Sequence, residues 1–234
     1  MIPYLIGIAG PSGAGKSVLC RTIQSSFENV SRLKLDDFFK DIHEVPLKGS
    51  WQDWDEPSSL HWGDLVQAAQ DLKSGKYAIV PHYSRKEDRR VGEKCVFPAP
   101  IILVDGFMTL VHKPLRDLLD LKLFYTLSEH SQVSRRRERQ PWVEEGYLKH
   151  VMLPSARKYI LPSGNHADYI INAELTECAV AQQTMEILYA TIPERLKKLP
   201  TVGNFRTHSL PSPQSILSHS YETKLRSESG SSAT

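Results

Sequence analysis

The chain has few cysteines, and their spacing argues against two common classes of small protein. Its 234 residues include only Cys20, Cys95 and Cys178, which lie far apart and form no C-x-x-C pair. An odd number of widely spaced cysteines favours neither a disulfide framework nor a structural zinc site. We therefore expect a protein of a reducing compartment, the cytoplasm.

Long apolar runs and an excess of charge of one sign are also missing. No apolar stretch approaches the roughly 20 residues that span a bilayer. The first strand-like segment, YLIGIAG, follows no basic region of the kind that opens a signal peptide. The formal net charge is +2, which gives no general signal for binding a polyanion. We expect a soluble protein with neither a membrane nor a nucleic-acid partner, and its oligomeric state cannot be read from the sequence.

Short apolar strands alternate with amphipathic helices along most of the chain, which predicts an α/β fold with an open parallel sheet of about five strands and helices on both faces. The predicted strands are Tyr4–Ala9, Arg32–Leu35, the apolar run ending at Asp105, Leu121–Leu127 and Asp168–Asn172. The predicted helices follow Gly15, run from Ser58 or Ser59 to about Ser74, and cover Glu129–Arg139, Tyr147–Ile160 and Thr176–Ala190. Pro154 predicts a kink or break in the fourth of these helices.

The last part of the chain has a different composition. From about Thr201 the sequence is rich in serine and proline and loses its periodicity. We expect residues 1–200 to form one domain and residues 201–234 to be a disordered tail.

The segment GPSGAGKS, from Gly10 to Ser17, has the pattern G-x-x-x-x-G-K-[ST] between a predicted strand and a predicted helix. This is the context in which the pattern forms a P-loop, whose backbone N–H groups and helix N-terminus bind phosphate oxygens. Lys16 is expected to reach the β- and γ-phosphates of ATP. The predicted nucleotide-binding residues are Gly10, Ser12, Gly13, Ala14, Gly15, Lys16, Ser17 and Val18.

The rest of the sequence narrows the class of P-loop protein. It contains no N-K-x-D motif, which a GTPase would use to recognise its base, and the strand ending at Asp105 carries one acid followed by a glycine. A motor-type ATPase would carry a second, catalytic acid there. We expect the Ser17 hydroxyl and Asp105 to organise Mg²⁺, with Asp105 acting through water.

A second chemical signal, LDDFFK, follows the second predicted strand. The carboxyl ends of parallel strands meet at the crevice where ligands bind, and a carboxylate there can accept the proton of an attacking hydroxyl. Asp36 and Asp37 point in different directions in an extended backbone, so one shared role is not expected. We predict that Asp36 is the base, while Asp37 caps the following turn or supports Mg²⁺.

LDDFFK also resembles the D-x-F-[YF] motif of the uridine kinase and nicotinamide riboside kinase group of P-loop nucleoside kinases. The resemblance spans about Ile6 to Ile192. It implies that Asp36 is the base and that Phe39 lines the nucleoside pocket. DWDEPSSL resembles the F-D-H-P-D segment of uridine kinases, which implies that Asp55 holds the ribose hydroxyls and that Trp54 is the neighbouring pocket aromatic.

Two further segments extend the resemblance. VPHYSRKEDRR resembles P-x-Y-D-F-x-x-H-x-R, which assigns Tyr83 and Arg90 to the substrate pocket. SRRRER resembles the lid of these kinases, which implies a helical lid at about residues 129–150 that carries Arg135, Arg136 and Arg139. By i, i+4 spacing Arg135 and Arg139 share one helix face, and we expect them to clamp the transferred phosphate while Arg136 contacts the substrate.

The resemblance has departures that leave alternatives open. Uridine kinases read the pyrimidine with an aromatic residue and a histidine, and this chain has Arg85 and Asp88 at those positions. DDFFK, DGF and KPL are closer to nicotinamide riboside kinases. The expected activity is ATP-dependent phosphorylation of the 5′-hydroxyl of a ribonucleoside. Two alternatives concern the acceptor, which could instead be nicotinamide riboside or a non-nucleoside alcohol such as pantothenate or a sugar phosphate. A third alternative is that the protein is a regulator that binds a nucleotide without catalysis.

Overall fold

The computed structural model describes residues 2–196, so the predicted tail at 201–234 lies outside the described residues. Nine strands are assigned within this range: β1 (Tyr4–Ala9), β2 (Val30–Lys34), β3 (Leu47–Lys48), β4 (Trp51–Gln52), β5 (Ala78–Ser84), β6 (Arg89–Val96), β7 (Ile101–Asp105), β8 (Leu121–Thr126) and β9 (Tyr169–Asn172). The main helices are α1 (Lys16–Ser26), α2 (Trp62–Lys73), α3 (Lys113–Arg116), α4 (Glu129–Arg139) and the C-terminal helix (Glu177–Thr191).

Five of the strands form one parallel sheet in the order β2-β7-β1-β8-β9. The predicted α/β class with about five parallel strands is therefore confirmed. Successive residues of β1 point to opposite faces, as a strand requires. Leu5 packs with residues of α2 on one face, while Ile6 and Ile8 pack with α1 and the C-terminal helix on the other. Both faces are covered, which is why β7 is buried along its whole length.

The order of the strands positions the site. β1 lies between β7 and β8, so the loop after β1 is flanked by the ends of both neighbours. The carboxyl ends of the strands carry the P-loop after β1, the turn after β2 and Asp105 at the end of β7. Ligand sites of open parallel sheets lie outside the carboxyl ends of the strands, and the predicted site residues gather there.

An antiparallel ribbon between α2 and β7 was not expected from the sequence. β5 and β6 pair from Ala78 opposite Val96 to Ser84 opposite Arg89, with an irregularity of register between His82 and Tyr83. Much of β6 is exposed and carries arginine, lysine and glutamate. A strand of this kind has little of the apolar alternation that makes strands recognisable. The ribbon is called the β5–β6 ribbon below.

The helix that contains Pro154 does not break there. Residues 145–163 form a continuous helical segment, called the π-turn helix here, in which π turns at Leu148–Met152 and Ala156–Ile160 alternate with short α turns. Each π turn ends two residues before a proline, Pro154 or Pro162. A proline removes one backbone donor and crowds the preceding turn, and a wider turn relieves that crowding. The predicted break does not occur, since the helix continues past Pro154 with one π turn before it and another after it.

Candidate active site

The P-loop surrounds the side chain of Lys16. Its Nζ donates to the carbonyl oxygens of Gly10 at 2.6 Å and of Pro11 at 2.9 Å. Burial lowers the pKa of Lys16 to about 8, an effect that the negative charges of Asp105 and Asp36 partly oppose. Gly10 has a φ of 136°, and a Cβ there would lie 2.3 Å from the carbonyl oxygen of Tyr125. Only glycine fits this turn.

The remaining P-loop residues lead into the N-terminus of α1. Gly15 precedes the helix with a left-handed φ of 77°, and its carbonyl accepts from the N–H groups of Val18 and Leu19. Ser12, Gly13 and Ala14 form the loop between β1 and the helix. The first N–H groups of a helix lack partners within it and, together with the helix dipole, favour an anion. The loop thus has the form that binds phosphate.

Asp105 lies beside Ser17 and is also held by a residue that the sequence did not single out. Ser17 Oγ lies 3.3 Å from Asp105 Oδ2, and the Arg32 guanidinium forms an ion pair with the same oxygen. Asp105 Oδ1 is buried without a hydrogen-bond partner among residues 2–196. Burial raises the pKa of the nearby Cys20 thiol, and the negative charge of Asp105 raises it by a smaller amount. A buried carboxylate oxygen with no partner, next to a serine hydroxyl, fits Mg²⁺, which binds oxygen ligands and keeps several waters.

The two aspartates after β2 have separate partners on the β5–β6 ribbon. The turn Leu35–Phe38 directs Asp36 towards Arg85, with 2.9 Å between Oδ2 and Nη2, and Asp37 towards Lys94, with 2.7 Å between Oδ2 and Nζ. Asp37 is buried, whereas Asp36 is half exposed. Asp37 was expected to cap a turn or to support Mg²⁺, but its salt bridge fastens the turn to the ribbon.

Aromatic side chains form a cluster beside Asp36. The Phe39 ring centroid lies 5.5 Å from that of Trp54, 5.8 Å from that of Tyr83 and 6.1 Å from that of Phe107. Tyr83 is buried, its hydroxyl has no hydrogen-bond partner among residues 2–196, and burial raises its pKa. Phe39, Trp54 and Tyr83, the predicted pocket aromatics, thus lie together. Phe107 joins them although the sequence reading did not include it.

Asp55 is buried, and its carboxylate accepts a hydrogen bond from the hydroxyl of Tyr147 at 2.8 Å. Burial raises the pKa of Asp55, while the Tyr147 hydrogen bond and the charge of Arg136 lower it. The backbone N–H of Asp55 donates to Asp53 Oδ1 at 3.1 Å, which fixes the loop that carries both acids. Asp55 therefore has a rigid position, and Tyr147, at the start of the π-turn helix, contributes to it.

Arg90, which was predicted to contact the substrate, is bound to other parts of the protein. Its Nη2 donates to Asp64 Oδ2 at 3.0 Å, and its backbone N–H donates to Asp41 Oδ1 at 2.8 Å. These contacts connect the ribbon to α2 and to the segment after the Asp36 turn. Arg90 thus helps to hold the ribbon in position, and its role in substrate binding stays a prediction.

The three arginines of α4 that were predicted to contact ligands divide into two groups. Arg135 donates to the carbonyl oxygens of Gly13 at 3.0 Å and of Ala173 at 2.9 Å. Arg136 and Arg139 both approach the hydroxyl of Ser12, at 3.4 and 3.0 Å. The i, i+4 spacing predicted Arg135 and Arg139 as a pair. In the structure Arg136 and Arg139, at i, i+3, converge on the P-loop, while Arg135 fastens the loop to the end of β9.

Electrostatic interactions connect the P-loop with the turn that carries Asp36. Burial lowers the pKa of Arg139, as do the charges of Arg136 and Arg85, while Asp36 and Asp55 raise it. Lys16 interacts with Asp36 as well as with Asp105. The predicted base, the P-loop lysine and a lid arginine therefore lie within electrostatic range of one another.

Five residues of this arrangement were missed in the sequence: Arg32, Arg85, Lys94, Phe107 and Tyr147. Arg32 gave a weak signal, because an arginine in a short strand of a buried sheet requires a charged partner. Arg85 differs from the aromatic residue of the uridine kinase pattern, but this difference alone does not predict its contact with Asp36. Lys94 and Tyr147 gave no signal, since their partners are 57 and 92 residues away.

The fold and the site together define a P-loop kinase: a phosphate-binding loop on a five-stranded parallel sheet, with arginines of one helix held over it. The family profile described as Phosphoribulokinase / Uridine kinase matches residues 5–178. The chain belongs to the phosphoribulokinase and uridine kinase family.

Known relatives agree with this assignment. The chain is 31% identical to the uridine kinase of Halobacterium salinarum over 193 residues, which cover 76% of this chain and 83% of that protein. It is 30% identical over 179 residues to uridine-cytidine kinase A of Dictyostelium discoideum, a match that covers 72% of this chain but only 36% of that longer protein. The structure of phosphoribulokinase from Rhodobacter spheroides has the same fold, with a TM-score of 0.56, 11% identity, and coverage of 73% of this chain and 70% of that one.

Proposed function

We propose that the protein transfers the γ-phosphate of ATP to the 5′-hydroxyl of a ribonucleoside. The observation that carries the proposal is the position of Asp36, a half-exposed carboxylate within electrostatic range of both Lys16 and Arg139. Phosphoryl transfer requires a group that accepts the proton of the attacking hydroxyl, close to cations that neutralise the transferred phosphate. Relatives named uridine kinase and uridine-cytidine kinase support the choice of acceptor.

At the donor end, the loop from Gly10 to Val18 binds the triphosphate. Lys16 exchanges its two carbonyl partners for phosphate oxygens, and the N–H groups of the loop and of the first turn of α1 donate to the others. Ser17 and Asp105 would hold Mg²⁺, Asp105 through water. When bound, this ion neutralises charge on the phosphate oxygens.

At the acceptor end, Asp55 accepts hydrogen bonds from the two ribose hydroxyls. A carboxylate has enough lone pairs to accept from both hydroxyls and from Tyr147 at once. The nucleobase of the acceptor lies among Phe39, Trp54 and Tyr83. Asp36, the catalytic base, takes the proton of the 5′-hydroxyl as the hydroxyl oxygen attacks the γ-phosphorus. Aromatic walls of this kind bind a planar base through its faces and edges.

The arginines of α4 act on the donor side. Arg136 and Arg139, which now contact the Ser12 hydroxyl, are in position to turn onto the γ-phosphate as its charge spreads over three oxygens. Arg135 acts by positioning, because it holds the carbonyl of Gly13 and with it the shape of the P-loop.

The cysteines support the cytoplasmic location that we propose for the enzyme. All three are unpaired in the structure, and unpaired cysteines are typical of proteins in a reducing compartment. Within residues 2–196, no helix combines the length and apolarity needed to cross a membrane.

The test is ADP release with Mg·ATP in the presence of uridine, cytidine, adenosine, nicotinamide riboside, 2′-deoxyuridine or pantothenate. We expect turnover with at least one ribonucleoside and much less with the 2′-deoxy form. Turnover with pantothenate alone would mean that the fold assignment stands and the nucleoside assignment is wrong. ATP binding with no turnover for any acceptor would favour a regulator over an enzyme.

A further inference from the structure

The β5–β6 ribbon holds the predicted base through Arg85, a residue with no role in the mechanism above. Arg85 follows β5 directly, at the start of the turn to β6, and its Nη2 lies 2.9 Å from Asp36 Oδ2. The side chains of Arg85 and Asp36 are 54% and 50% exposed, so solvent or a ligand can reach the pair. An ion pair this exposed is weak enough to be broken when a ligand binds.

Arg85 has a second contact, which gives it a position independent of Asp36. Its guanidinium carbon lies 5.0 Å from the centroid of the Phe39 ring, within the range of a cation–π interaction. Phe39 is almost fully buried and does not move easily. Arg85 can therefore give up Asp36 without losing its place against the pocket wall.

The backbone of the ribbon fixes the direction of Arg85. The register of the ribbon shifts between His82 and Tyr83, and Asp88 in the turn has a φ of 47°. Irregularities of this kind redirect side chains and are frequent next to active sites. Here the turn brings the guanidinium over the acceptor end of the site, where Asp36, Tyr83 and Asp55 surround it electrostatically.

A kinase with a base beside a bound triphosphate has a side reaction. Water is smaller than any acceptor alcohol and can occupy the same place beside the base. If it attacks, its oxygen bonds to the γ-phosphorus, the bond to the β–γ bridging oxygen breaks, ADP leaves with that electron pair, and the base takes the water proton. Kinases avoid this loss by excluding water or by withholding a catalytic group until the acceptor is bound.

We propose that Arg85 is a positioning residue that withholds Asp36 from water until the acceptor displaces the ion pair. The guanidinium occupies Asp36 Oδ2, an oxygen that would otherwise be open to accept the proton of a hydroxyl or of water. An acceptor that fills the pocket between Phe39 and Asp55 brings its own hydroxyl to Asp36 and leaves Arg85 on the Phe39 ring. The inference rests on the role of Asp36 in the proposed function, but its test requires no acceptor.

The chain supplies a matched control. Lys94, on the other strand of the same ribbon, forms the corresponding salt bridge with the adjacent Asp37. Removing Lys94 loosens the contact between the ribbon and this turn without exposing Asp36. Arg85→Gln and Lys94→Gln therefore separate a specific effect on the base from a general loosening of the ribbon.

The experiment measures ADP release from Mg·ATP without any acceptor in the full-length chain. We expect Arg85→Gln to hydrolyse ATP about tenfold faster than wild type, because part of a general-base contribution of 10²–10⁴ becomes available to water. Lys94→Gln should hydrolyse at the wild-type rate, and Arg85→Gln combined with Asp36→Asn should lose the gain. Arg85→Lys keeps a cation beside Asp36, so it should hydrolyse ATP more slowly than Arg85→Gln. Loss of structure cannot produce a gain of hydrolysis that depends on Asp36.

Two results would overturn the proposal: hydrolysis by Arg85→Gln within twofold of wild type, or a gain that persists when Asp36 is also replaced. These outcomes are distinct from a failure of the proposed function. If wild type phosphorylates a ribonucleoside while Arg85→Gln shows no gain, the function stands and the withholding role is wrong. If no ribonucleoside is accepted but the Asp36-dependent gain appears, the acceptor assignment is wrong and the role of Arg85 stands.

Discussion

The Tyr147 hydroxyl donates a hydrogen bond to Asp55 Oδ2 at 2.8 Å, and it connects the start of the π-turn helix to the acceptor pocket. The bond lowers the pKa of a carboxylate whose burial raises it. Tyr147 therefore orients Asp55 and favours its ionised form, against the larger effect of burial on the pKa.

Replacement of Tyr147 by phenylalanine should weaken acceptor binding more than catalysis. We expect KM for the ribonucleoside to rise about three- to tenfold, the equivalent of one hydrogen bond of roughly 0.5–1.5 kcal/mol. Because the bond lowers the pKa of Asp55, its loss raises that pKa further, and kcat/KM should fall at a higher pH on acidification than in wild type. Steady-state kinetics between pH 5 and 8 measure both effects.

Tyr159→Phe is the control for this variant. It removes a hydroxyl from the same helix that donates to the neighbouring Glu56. In the Tyr159→Phe variant, kcat/KM should fall on acidification at the same pH as in wild type. A Tyr147→Phe profile that coincides with that of wild type would exclude an ionised Asp55 from acceptor binding.

The sequence was sufficient to predict the sheet and the position of the P-loop between β1 and α1, because both depend on local patterns. β1 and α4 have the predicted bounds, and the P-loop needs only glycines, a lysine and a serine between a strand and a helix. The β5–β6 ribbon was missed because β6 is exposed and charged and lacks the alternation of apolar and polar residues that makes a strand recognisable. The partners of Asp36 and Asp37 were missed for the same reason, since both come from that ribbon.

The lid arginines illustrate a different limit. The resemblance to the lid of nucleoside kinases predicted that these residues act over the phosphates, and helical spacing grouped Arg135 with Arg139. Spacing gives the face of a helix and not what that face meets. The tertiary contact with the P-loop and β9 decides that Arg135 binds backbone carbonyls while Arg136 and Arg139 meet Ser12.

Lys16 should make ATP binding depend on pH above neutrality. Its pKa of about 8 means that the protonated fraction falls from about 90% at pH 7 to about 10% at pH 9. Phosphate binding favours the protonated form, so the dissociation constant for ATP should rise about tenfold over this range and binding should take up protons. Calorimetry in two buffers of different ionisation enthalpy measures the uptake.

Lys16→Arg is the control for this dependence, because arginine does not titrate below pH 10. Its residual ATP affinity should be flat from pH 7 to pH 9, whatever its absolute value. Proton uptake of zero by wild type between pH 7.5 and pH 9 would contradict the lowered pKa.

Replacement of Asp36 by asparagine should remove the base and leave the nucleotide site intact. We expect ATP to bind with wild-type affinity, while kcat for the acceptor falls by about 10²–10⁴. Asp37→Asn is the adjacent control: it breaks the Lys94 salt bridge and lowers stability, but kcat should stay within about threefold of wild type. Rapid-quench measurement of a single turnover separates the chemical step from product release. A single-turnover rate within threefold of wild type for Asp36→Asn would refute its role as the base.

Arg135→Lys tests whether the guanidinium fork shapes the P-loop. The carbonyls of Gly13 and Ala173 accept from two different nitrogens of Arg135, Nη1 and Nη2, whereas the donors of lysine all sit on one nitrogen. We therefore expect one carbonyl to lose its partner, at a cost of about 1–3 kcal/mol. We expect a lower free energy of unfolding and an ATP dissociation constant about tenfold higher. Arg157→Lys, the same change at an exposed fork on Glu129, should alter neither quantity measurably. Equal effects at the two positions, in denaturant unfolding and ATP titration, would remove the special role of Arg135.

Arg139→Ala tests whether the arginines over Ser12 serve binding or the transition state. The Arg139 guanidinium is partly desolvated and is surrounded by the like charges of Arg136 and Arg85, an arrangement that an incoming phosphate would relieve. If Arg139 stabilises the charge that develops on the γ-phosphate, kcat should fall roughly 10²-fold or more while the ATP dissociation constant changes by less than about threefold. Arg137→Ala, on the same helix but paired with the exposed Glu145, should leave kcat close to wild type. A rise in the ATP dissociation constant that equals the loss of kcat/KM, with kcat unchanged, would assign Arg139 to ground-state binding instead.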